Sequence, residues 1–445
     1  MNSTLELNFP ALRNKSVTAR FDGGDLSSDA GVVLLAEAER NTGIMRALAD
    51  SIIDTRQSSK VKHSLKELIS ARVLGICCGY EDANDFDNLR HDPAFKLACD
   101  HLPATGSALA SQPSISRLEN RIGARDLVRA AYAIARAVIA QLPADTTHVI
   151  LDVDATPDPC HGQQEFEGFN AHYDTHCYLP LLLHVTAADG QKRLLAALLR
   201  PGKASACQGL FCLLSGAARL LRERFPEITI TLRADGGFGN ARVIHFCEKR
   251  RLNFVLGLGK NNRLQTLSTP IQIDAALKYR WAGDGCREFG EFLYKAGSWR
   301  NRHRVVIKAE ITRGELNPRY VVTSDTTLSA EEVYTFYCAR GDQENRIKEF
   351  KNDLAGGRTS CHRFLANQFR LLLHLAAGAL LAVLQRALFG TDWAKAQIQT
   401  VRLRLLKVAV RVVETSRRIW LHLPTAFPEK LTWEHLWRKL RVPLA

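Results

Sequence analysis

Apolar and polar positions alternate with two different periods along this chain, and the change divides it near residue 145. In residues 1–145, apolar positions recur three and four apart after a short irregular start, which is typical of amphipathic helices. The patterns over 30–43 and 63–79 each close with a glycine, the residue that commonly ends a helix. A further pattern predicts one long helix over about 114–142. We therefore expect an N-terminal helical region.

Beyond Pro143, short runs of aliphatic and β-branched residues indicate strands instead. The predicted strands lie at 147–156, 176–186, 193–200, 228–235, 253–259 and 319–324. Helical patterns over about 206–224 and up to Arg250 separate some of these runs. Near the C-terminus, the segment TVRLRLLKVAVRVV predicts a basic helix over 400–413. Strands and helices in this order predict an α/β layer with a partly parallel sheet.

Residues 260–318 interrupt this rhythm with alternating segments such as EFLYKAG and RVVIKAEIT, which predict a small β-rich insertion. Trp299 is followed by Arg300 and Asn301, as in a turn, whereas Trp281 follows an apolar run. We therefore predict that Trp299 is the more exposed of the two and can stack on an unpaired base. The alternative is that both tryptophans form the core of the insertion.

The segment Glu331–Asp353 predicts a helix with an unusual polar face, because its acids come early and its bases late. At about 100° per residue, four polar side chains fall within about 60° of one another. They are Tyr337, Arg340, Glu344 and Lys351. Glu349, at about 120° on the same helical wheel, is predicted to point away from this face, so a Glu349 variant would serve as a control. A carboxylate flanked by two cations and a phenol is suited to holding a metal ion beside a phosphate backbone. The alternative is a solvated face with intrahelical ion pairs.

Charge favours a polyanionic partner. The chain has a formal net charge of +14, and residues 363–445 contain 14 Lys and Arg against 4 Asp and Glu. Clustered positive charge attracts phosphates over a long range. The alternative is that the basic balance only aids solubility.

The location expected from the sequence is a reducing cytosol. The 11 cysteines are scattered without a CxxC pair, and the first residues lack the pattern of a signal peptide. The most apolar window, 371–384, is shorter than the ~20 residues that span a bilayer, so we predict a buried helix and no membrane association.

Two possible kinds of chemistry arise from short motifs. VILDVDAT matches the nucleophile motif of haloacid-dehalogenase-type phosphatases, in which Asp152 would be phosphorylated and Asp154 would act as acid and base. That family further needs a lysine and a later acidic pair, and RADGGFG offers one acid. Zinc ligation is the second. Its potential ligands are His161, His172, His176 and Cys177. Their spacing matches no closed zinc site, so hydrogen-bonded loop histidines are the favoured interpretation.

A third constellation combines three carboxylates. Asp154 and Asp235 stand at the ends of predicted strands, where ligands bind in open α/β sheets, and Glu344 lies on the predicted helix. Three carboxylates can hold two divalent cations ~4 Å apart, one activating a water or a 3′ hydroxyl and the other stabilising the leaving oxygen of a phosphodiester. Asp152 lies on the same side of its strand as Asp154, so physics alone leaves open which of them is the ligand.

These residues carry a resemblance to a known family. The spacing of Tyr337, Arg340, Glu344 and Lys351 resembles the Tyr-Arg-Glu-Lys signature of DDE transposases from bacterial insertion sequences. LDVDAT and LRADGGF look like the first and second aspartate motifs of that group, and GQQEFEGFNAHYDTHCYLPL resembles the segment after the first motif in one of its families. The resemblance covers roughly residues 20–440.

The resemblance implies a ribonuclease-H-like catalytic core that cuts and joins the ends of a mobile element with two Mg²⁺ or Mn²⁺ ions. Asp154, Asp235 and Glu344 would be the catalytic metal ligands. The remaining signature residues would contact DNA: Arg340 and Lys351 its backbone, and Tyr337 a nearby phosphate. The motif's Asp-x-Thr ending favours Asp154 over Asp152 as the ligand.

The implied partners are double-stranded DNA at the terminal repeats, target DNA, and further copies of the chain on DNA, in a bacterial cytoplasm near the nucleoid. Arg117, on SQPSISRLENR, would suit a recognition helix, although an ordinary capped helix fits equally. The expected regions are 1–145 (helical, DNA-end binding), 146–259 and 319–390 (catalytic core), 260–318 (β-rich insertion) and 391–445 (basic). A non-catalytic DNA-binding descendant remains an alternative.

Overall fold

The computed structural model describes residues 6–282 and 285–442. Within this range the chain forms two compact units. The first contains residues 6–41, 56–116 and 383–442, and the second contains 42–55 and 117–382. The two units are described separately below.

The described residues form sixteen strands and sixteen α-helices. The strands are β1 (Leu7–Leu12), β2 (Lys15–Ala19), β3 (Leu26–Ser27), β4 (His148–Ala155), β5 (Asp158–Pro159), β6 (Gly168–Asn170), β7 (Thr175–Tyr178), β8 (Leu181–Thr186), β9 (Lys192–Leu198), β10 (Thr229–Ala234), β11 (Asn253–Leu258), β12 (Cys286–Tyr294), β13 (His303–Thr312), β14 (Glu315–Thr323), β15 (Val410–Glu414) and β16 (Ile419–His422). The helices are α1 (Val32–Thr42), α2 (Ile44–Asp50), α3 (Leu65–Cys78), α4 (Phe86–Leu89), α5 (Pro93–Ala98), α6 (Gln112–Arg121), α7 (Ala124–Ile139), α8 (Leu210–Arg224), α9 (Ala241–Arg250), α10 (Asn262–Leu267), α11 (Thr269–Ala282), α12 (Ala330–Cys338), α13 (Gly341–Lys348), α14 (Phe364–Ala387), α15 (Ile398–Val401) and α16 (Lys430–Arg441).

An eight-stranded sheet forms the centre of the second unit, in the order β12-β13-β14-β11-β10-β4-β8-β9. The neighbours β4, β10 and β11 run parallel, and the other pairs are antiparallel. Val153 of β4 is in register with Ala234 of β10. The residues that follow, Asp154 and Asp235, therefore lie beside each other at the same edge of the sheet, as the strand-end argument predicts.

Helix α12 packs on one face of this sheet. Val333 and Tyr334 join Val255, Val306 and Val321 in an apolar cluster, with Phe336 packed against it. A capping box at Ser329, which accepts from the Glu332 N–H at 3.2 Å, fixes the start of the helix. Apolar burial on one side thus brings the polar end of α12 to the carboxyl edge of the parallel strands.

Between β4 and β8 the chain forms a small antiparallel sheet in the order β5-β7-β6. It is connected to the segment that follows α13, because Glu165 N–H donates to the His362 carbonyl at 3.0 Å and Gln164 Nε2 donates to the Thr359 carbonyl at 2.6 Å. These bonds hold the chain after Asp154 against the chain after Glu344.

The first unit is mainly helical, with an exposed β1–β2 hairpin and a sheet in the order β16-β15-β3. Helix α3 starts at Ser64, whose hydroxyl accepts from the Glu67 N–H, and ends at Gly79 with φ +89°. Buried Asp29 accepts from the Tyr80 hydroxyl at 2.9 Å and pairs with Lys407 at 2.8 Å. The helix predicted to end at Gly79 is confirmed.

Four expectations need correction. The irregular start is the β1–β2 hairpin, and the single helix over 114–142 is two helices, α6 and α7, separated before Gly123. The insertion at 260–318 begins with helices α10 and α11, and its strands extend the central sheet rather than forming a separate β-unit. The basic helix expected near 400–413 is only α15, followed by a π-helical turn at Arg402–Leu406 and strand β15.

The predicted buried apolar helix is confirmed as α14. It is long and apolar enough to cross a membrane by composition, yet 89% of its most apolar window is buried inside the protein. This burial is what a core helix requires.

Candidate active site

Strand β4 presents two aspartates to one side of the sheet, and they have different surroundings. Asp152 is fully buried, and its two oxygens accept from Arg233 Nε at 2.7 Å and Arg233 Nη2 at 2.9 Å. Lys192 adds a second cation 2.9 Å away. Burial by itself would raise the pKa of Asp152, but the two cations hold that pKa below its ordinary value. Both oxygens of Asp152 are therefore committed, which disfavours the phosphatase interpretation.

Asp154 lies at the end of β4, where its side chain remains 17% exposed. Arg340 Nη1 donates to its Oδ2 at 2.9 Å. Burial raises the pKa of Asp154 to about 6, with Arg340 acting against the rise and the nearby charge of Asp235 adding to it. The carboxylate best placed to meet a cation is thus Asp154.

Asp235 follows β10 directly, and its Oδ1 accepts from the Gly237 N–H at 2.9 Å. The hydroxyl of Tyr337 lies close by, because a Cβ on Gly257 of the adjacent strand would be 2.6 Å from it and 2.8 Å from the Gly236 nitrogen. Only a glycine at position 257 leaves room for this phenol. Burial raises the pKa of Tyr337; Arg340 acts against this and Asp235 adds to it.

The predicted helix over 331–353 is divided into α12, α13 and a π-helical turn at Glu349–Asp353. Arg340 stands at the break, and its N–H bonds to the Tyr337 carbonyl at 3.0 Å, a tighter turn than in an α-helix. Its guanidinium lies between two acids, 2.9 Å from Asp154 and 3.6 Å from Glu344. The break aims Arg340 at the strand ends, and the Glu344 side chain stays 58% exposed.

The donor set fits a divalent metal such as Mg²⁺, because carboxylate oxygens are its preferred protein ligands. Burial by itself would lower the pKa of Arg340, but the nearby charges of Asp154, Asp235 and Glu344 help to raise it above its ordinary value. Among the described residues no three ligands already form a metal cluster. The positive charge of Arg340 offsets part of the negative charge of these acids.

Residues 9–443 match the model of a family described as transposase DDE domain, group 1. This chain belongs to the DDE transposase family. A search of curated proteins found no match. The resemblance to DDE transposases is therefore confirmed for nearly the whole length, whereas the match does not by itself assign the Tyr-Arg-Glu-Lys signature.

The remaining predicted DNA contacts of the transposase have different surroundings. Lys351 Nζ donates to the Pro157 carbonyl at 2.7 Å, just beyond β4. Arg117 is exposed on α6. Neither position tests the predicted contacts of Lys351 and Arg117 with DNA, which stay predictions.

The prediction for the tryptophans is wrong. Trp299 is only 6% exposed, whereas Trp281, at the end of α11, is 89% exposed. The Trp299 ring packs edge-on against Tyr294 at 5.2 Å and His303 at 5.5 Å. The turn between β12 and β13 folds this ring inward, because the hairpin needs a large side chain to cover its end. Trp299 is therefore a core residue rather than a base-stacking one.

The histidines give no support to zinc ligation. His176 Nδ1 bonds to Glu167 at 2.7 Å, and its ring packs on Phe169. The Glu349 side chain, predicted to point away from the polar face, is buried and bonds to Arg346 at 2.5 Å.

Sequence reasoning missed three residues of the transposase near this site. Arg233 and Lys192 hold Asp152, and the alternation of β10 could have indicated Arg233, which lies two residues before Asp235 on the same side. Asp158 is buried, with Oδ2 accepting from the Thr359 hydroxyl at 2.7 Å. Nothing in the local pattern distinguishes Asp158 from a turn aspartate, because its partner lies about 200 residues away.

Proposed function

We propose that this transposase cuts and joins the ends of a mobile DNA element by Mg²⁺-dependent phosphodiester hydrolysis and transesterification, with no covalent protein intermediate. The observation that carries the proposal is that Arg340 contacts both Asp154 and Glu344 at the edge of the sheet where Asp154 and Asp235 end neighbouring parallel strands. Metal-dependent phosphoryl transfer requires acidic side chains close enough together to hold cations. This chain has such acids and belongs to the DDE transposase family.

The sheet supports a ribonuclease-H-like core as part of this proposal. Five of its strands lie in the order β9-β8-β4-β10-β11, and the antiparallel strands β4, β8 and β9 come first along the chain. The first aspartate is on the central strand, β4, and the second follows its parallel neighbour, β10. The glutamate comes from α13, which follows directly after α12, the helix that packs on the same sheet. The three acids thus lie on rigid elements, which fixes their geometry.

In this proposal, Asp154, Asp235 and Glu344 would hold two divalent ions. When bound, such ions activate the attacking oxygen and stabilise the leaving oxygen of the phosphodiester. In the cutting step, a water attacks the phosphorus and the P–O bond to the leaving oxygen breaks, which frees a 3′ hydroxyl. In the joining step, that 3′ hydroxyl attacks a phosphorus of the target strand while one P–O bond of that strand breaks, so one phosphodiester replaces another and bond energy is conserved in this step. Arg340, released from Asp154, would contact the DNA backbone, and Tyr337 would orient a nearby phosphate.

The proposal is tested by incubating the transposase with Mg²⁺ and a DNA fragment that contains its own gene with both flanks. Strand ends mapped at the two borders of the element would support it. A descendant that only binds DNA would retain the fragment in a mobility-shift assay and leave every strand intact. Release of phosphate from small phosphoesters, without cleavage of the fragment, would favour the phosphatase alternative.

A further inference from the structure

A buried ion pair lies next to the candidate catalytic acids, two residues earlier on the same two strands. Asp152 and Arg233 are in register on the parallel strands β4 and β10, and each comes two residues before Asp154 and Asp235, respectively. They form a fork-to-fork pair with distances of 2.7 and 2.9 Å and exposures of 0% and 4%. Such a bidentate pair fixes two strands relative to each other with high geometric specificity.

Arg233 has a further N–H group that reaches the helix above the sheet. Its Nη1 donates to the Phe336 carbonyl at 2.6 Å, and its guanidinium lies 4.9 Å from the centre of the Phe336 ring. One arginine therefore links β4, β10 and α12. Phe336 is only one residue before Tyr337 and four before Arg340.

The Phe336 carbonyl is the one that a continuous α-helix would give to the Arg340 N–H. Here the Arg340 N–H bonds to the Tyr337 carbonyl instead, at 3.0 Å. Arg233 takes the carbonyl that is released, and its positive charge meets the negative end of the α12 dipole. The hydrogen bond from Arg233 is thus made to the same carbonyl whose α-helical bond is missing at the break.

We propose that Arg233, held in place by Asp152, is a positioning residue that fixes the break between α12 and α13 and so places Arg340 and Glu344 over the strand-end aspartates. The part of this inference that concerns cleavage rests on the proposed function. Lys192, 2.9 Å from Asp152, neutralises the same carboxylate but has no bond to the helix among the described contacts.

The sharpest variant is Arg233→Lys. An ammonium preserves the charge opposite Asp152, yet it lacks the planar fork that reaches the carboxylate and the Phe336 carbonyl together. Arg193→Gln is the matched control. Arg193 lies on β9 of the same sheet and is also buried, with 5% side-chain exposure. It pairs with Asp189, which precedes the strand, and alternation directs it to the face opposite Lys192.

Three measurements on the full-length variants test the inference. We expect both variants to melt below the wild type and to bind DNA within about threefold of it, because the basic surface is intact. Arg233→Lys should cleave about 10–100-fold more slowly at saturating Mg²⁺, since a displacement of about 1 Å has that effect on a reacting geometry. It should also need more Mn²⁺ to reach half its maximal rate, while Arg193→Gln keeps the wild-type requirement.

Equal cleavage rates and metal requirements for the two variants, once corrected for the folded fraction, would overturn the inference. Hydrogen exchange of residues 335–345 separates this outcome from a failure of the proposed function. If the wild type cleaves no DNA, faster exchange there in Arg233→Lys than in Arg193→Gln still supports the positioning role. Unchanged exchange in that case would contradict it.

Discussion

The guanidinium of Arg340 lies 2.9 Å from the carboxylate of Asp154 and 3.6 Å from that of Glu344. Without a metal ion, this arginine supplies the positive charge that the acids require. An ionic contact of this kind competes with metal binding, because a carboxylate oxygen that accepts from an arginine is less available to a cation. DNA phosphates would relieve the competition by attracting Arg340 away.

This competition predicts the metal affinity of an arginine variant in the absence of DNA. Replacing Arg340 by glutamine should tighten Mn²⁺ binding to the free transposase by about tenfold. A hydrogen bond to a charged group is worth roughly 1.5–3 kcal/mol, and a tenfold change in affinity corresponds to about 1.4 kcal/mol. The measurement is a Mn²⁺ titration followed by electron paramagnetic resonance. The same variant should cleave DNA more slowly. Weaker Mn²⁺ binding than in the wild type would show that Arg340 supports the metal site instead.

Lys351 should contribute one phosphate contact. Its ammonium lies beside Pro157, close to the chain that leaves β4, so a backbone phosphate near Asp154 would be within its reach. Lys351→Ala should weaken binding of the element ends and reduce the slope of log K against log salt by about one ion. Exposed Lys348 on α13 is the control, and it replaces Glu349, whose buried ion pair with Arg346 makes it unsuitable. Equal slopes for the Lys348 and Lys351 variants would contradict the assignment.

The two tryptophans should differ in what they do for stability. Trp299→Ala removes a buried ring that packs on Tyr294 and His303, so the free energy of unfolding should fall by about 3–5 kcal/mol. Trp281→Ala changes an exposed side chain and should alter it by less than about 0.5 kcal/mol. Denaturant unfolding measures both values. Similar losses for the two variants would argue against the burial of Trp299.

Asp158 should make stability fall as pH rises. Burial raises the pKa of Asp158 to about 7, whereas the unfolded chain has a value near 3.8. A group with a raised pKa binds its proton more tightly when folded, so its contribution is favourable at acid pH and is lost between about pH 4 and 7. Asp158→Asn should therefore be more stable than the wild type at pH 8, by an upper limit of about 4 kcal/mol, because one pKa unit corresponds to about 1.4 kcal/mol.

The comparison is made by thermal unfolding at pH 5 and pH 8. The advantage of the asparagine should shrink at pH 5, where the wild-type carboxyl is protonated. A constant difference between the two variants at both pH values would show that Asp158 does not titrate in this range.

Local patterns predicted much of the fold, including the strand-end positions of Asp154 and Asp235. The aliphatic runs ending in Asp154 and Asp235 identify strand ends, because alternation and burial are encoded within a few residues. The glycine at position 79 stops a helix for an equally local reason, its left-handed backbone.

The features that sequence reasoning missed depend on distant partners. The break between α12 and α13 follows from Arg233, 103 residues before Phe336 in the chain, so a helical wheel drawn over 331–353 could not show it. Trp299 is buried by Tyr294 and His303 only once the β12–β13 hairpin has formed. The helices α10 and α11 come first in the segment that was predicted to be β-rich, and the alternating pattern that led to that prediction begins only after them, at β12.

The most direct test of the account is strand cleavage at the element ends by Asp154→Ala, Asp235→Ala and Glu344→Ala, with Asp342→Ala on the exposed side of α13 as the control. Each of the three should abolish cleavage while DNA binding stays within about threefold of the wild type, because ligand loss removes the metal and leaves the basic surface intact. The control should cleave normally. Cleavage retained by Asp235→Ala would contradict the account.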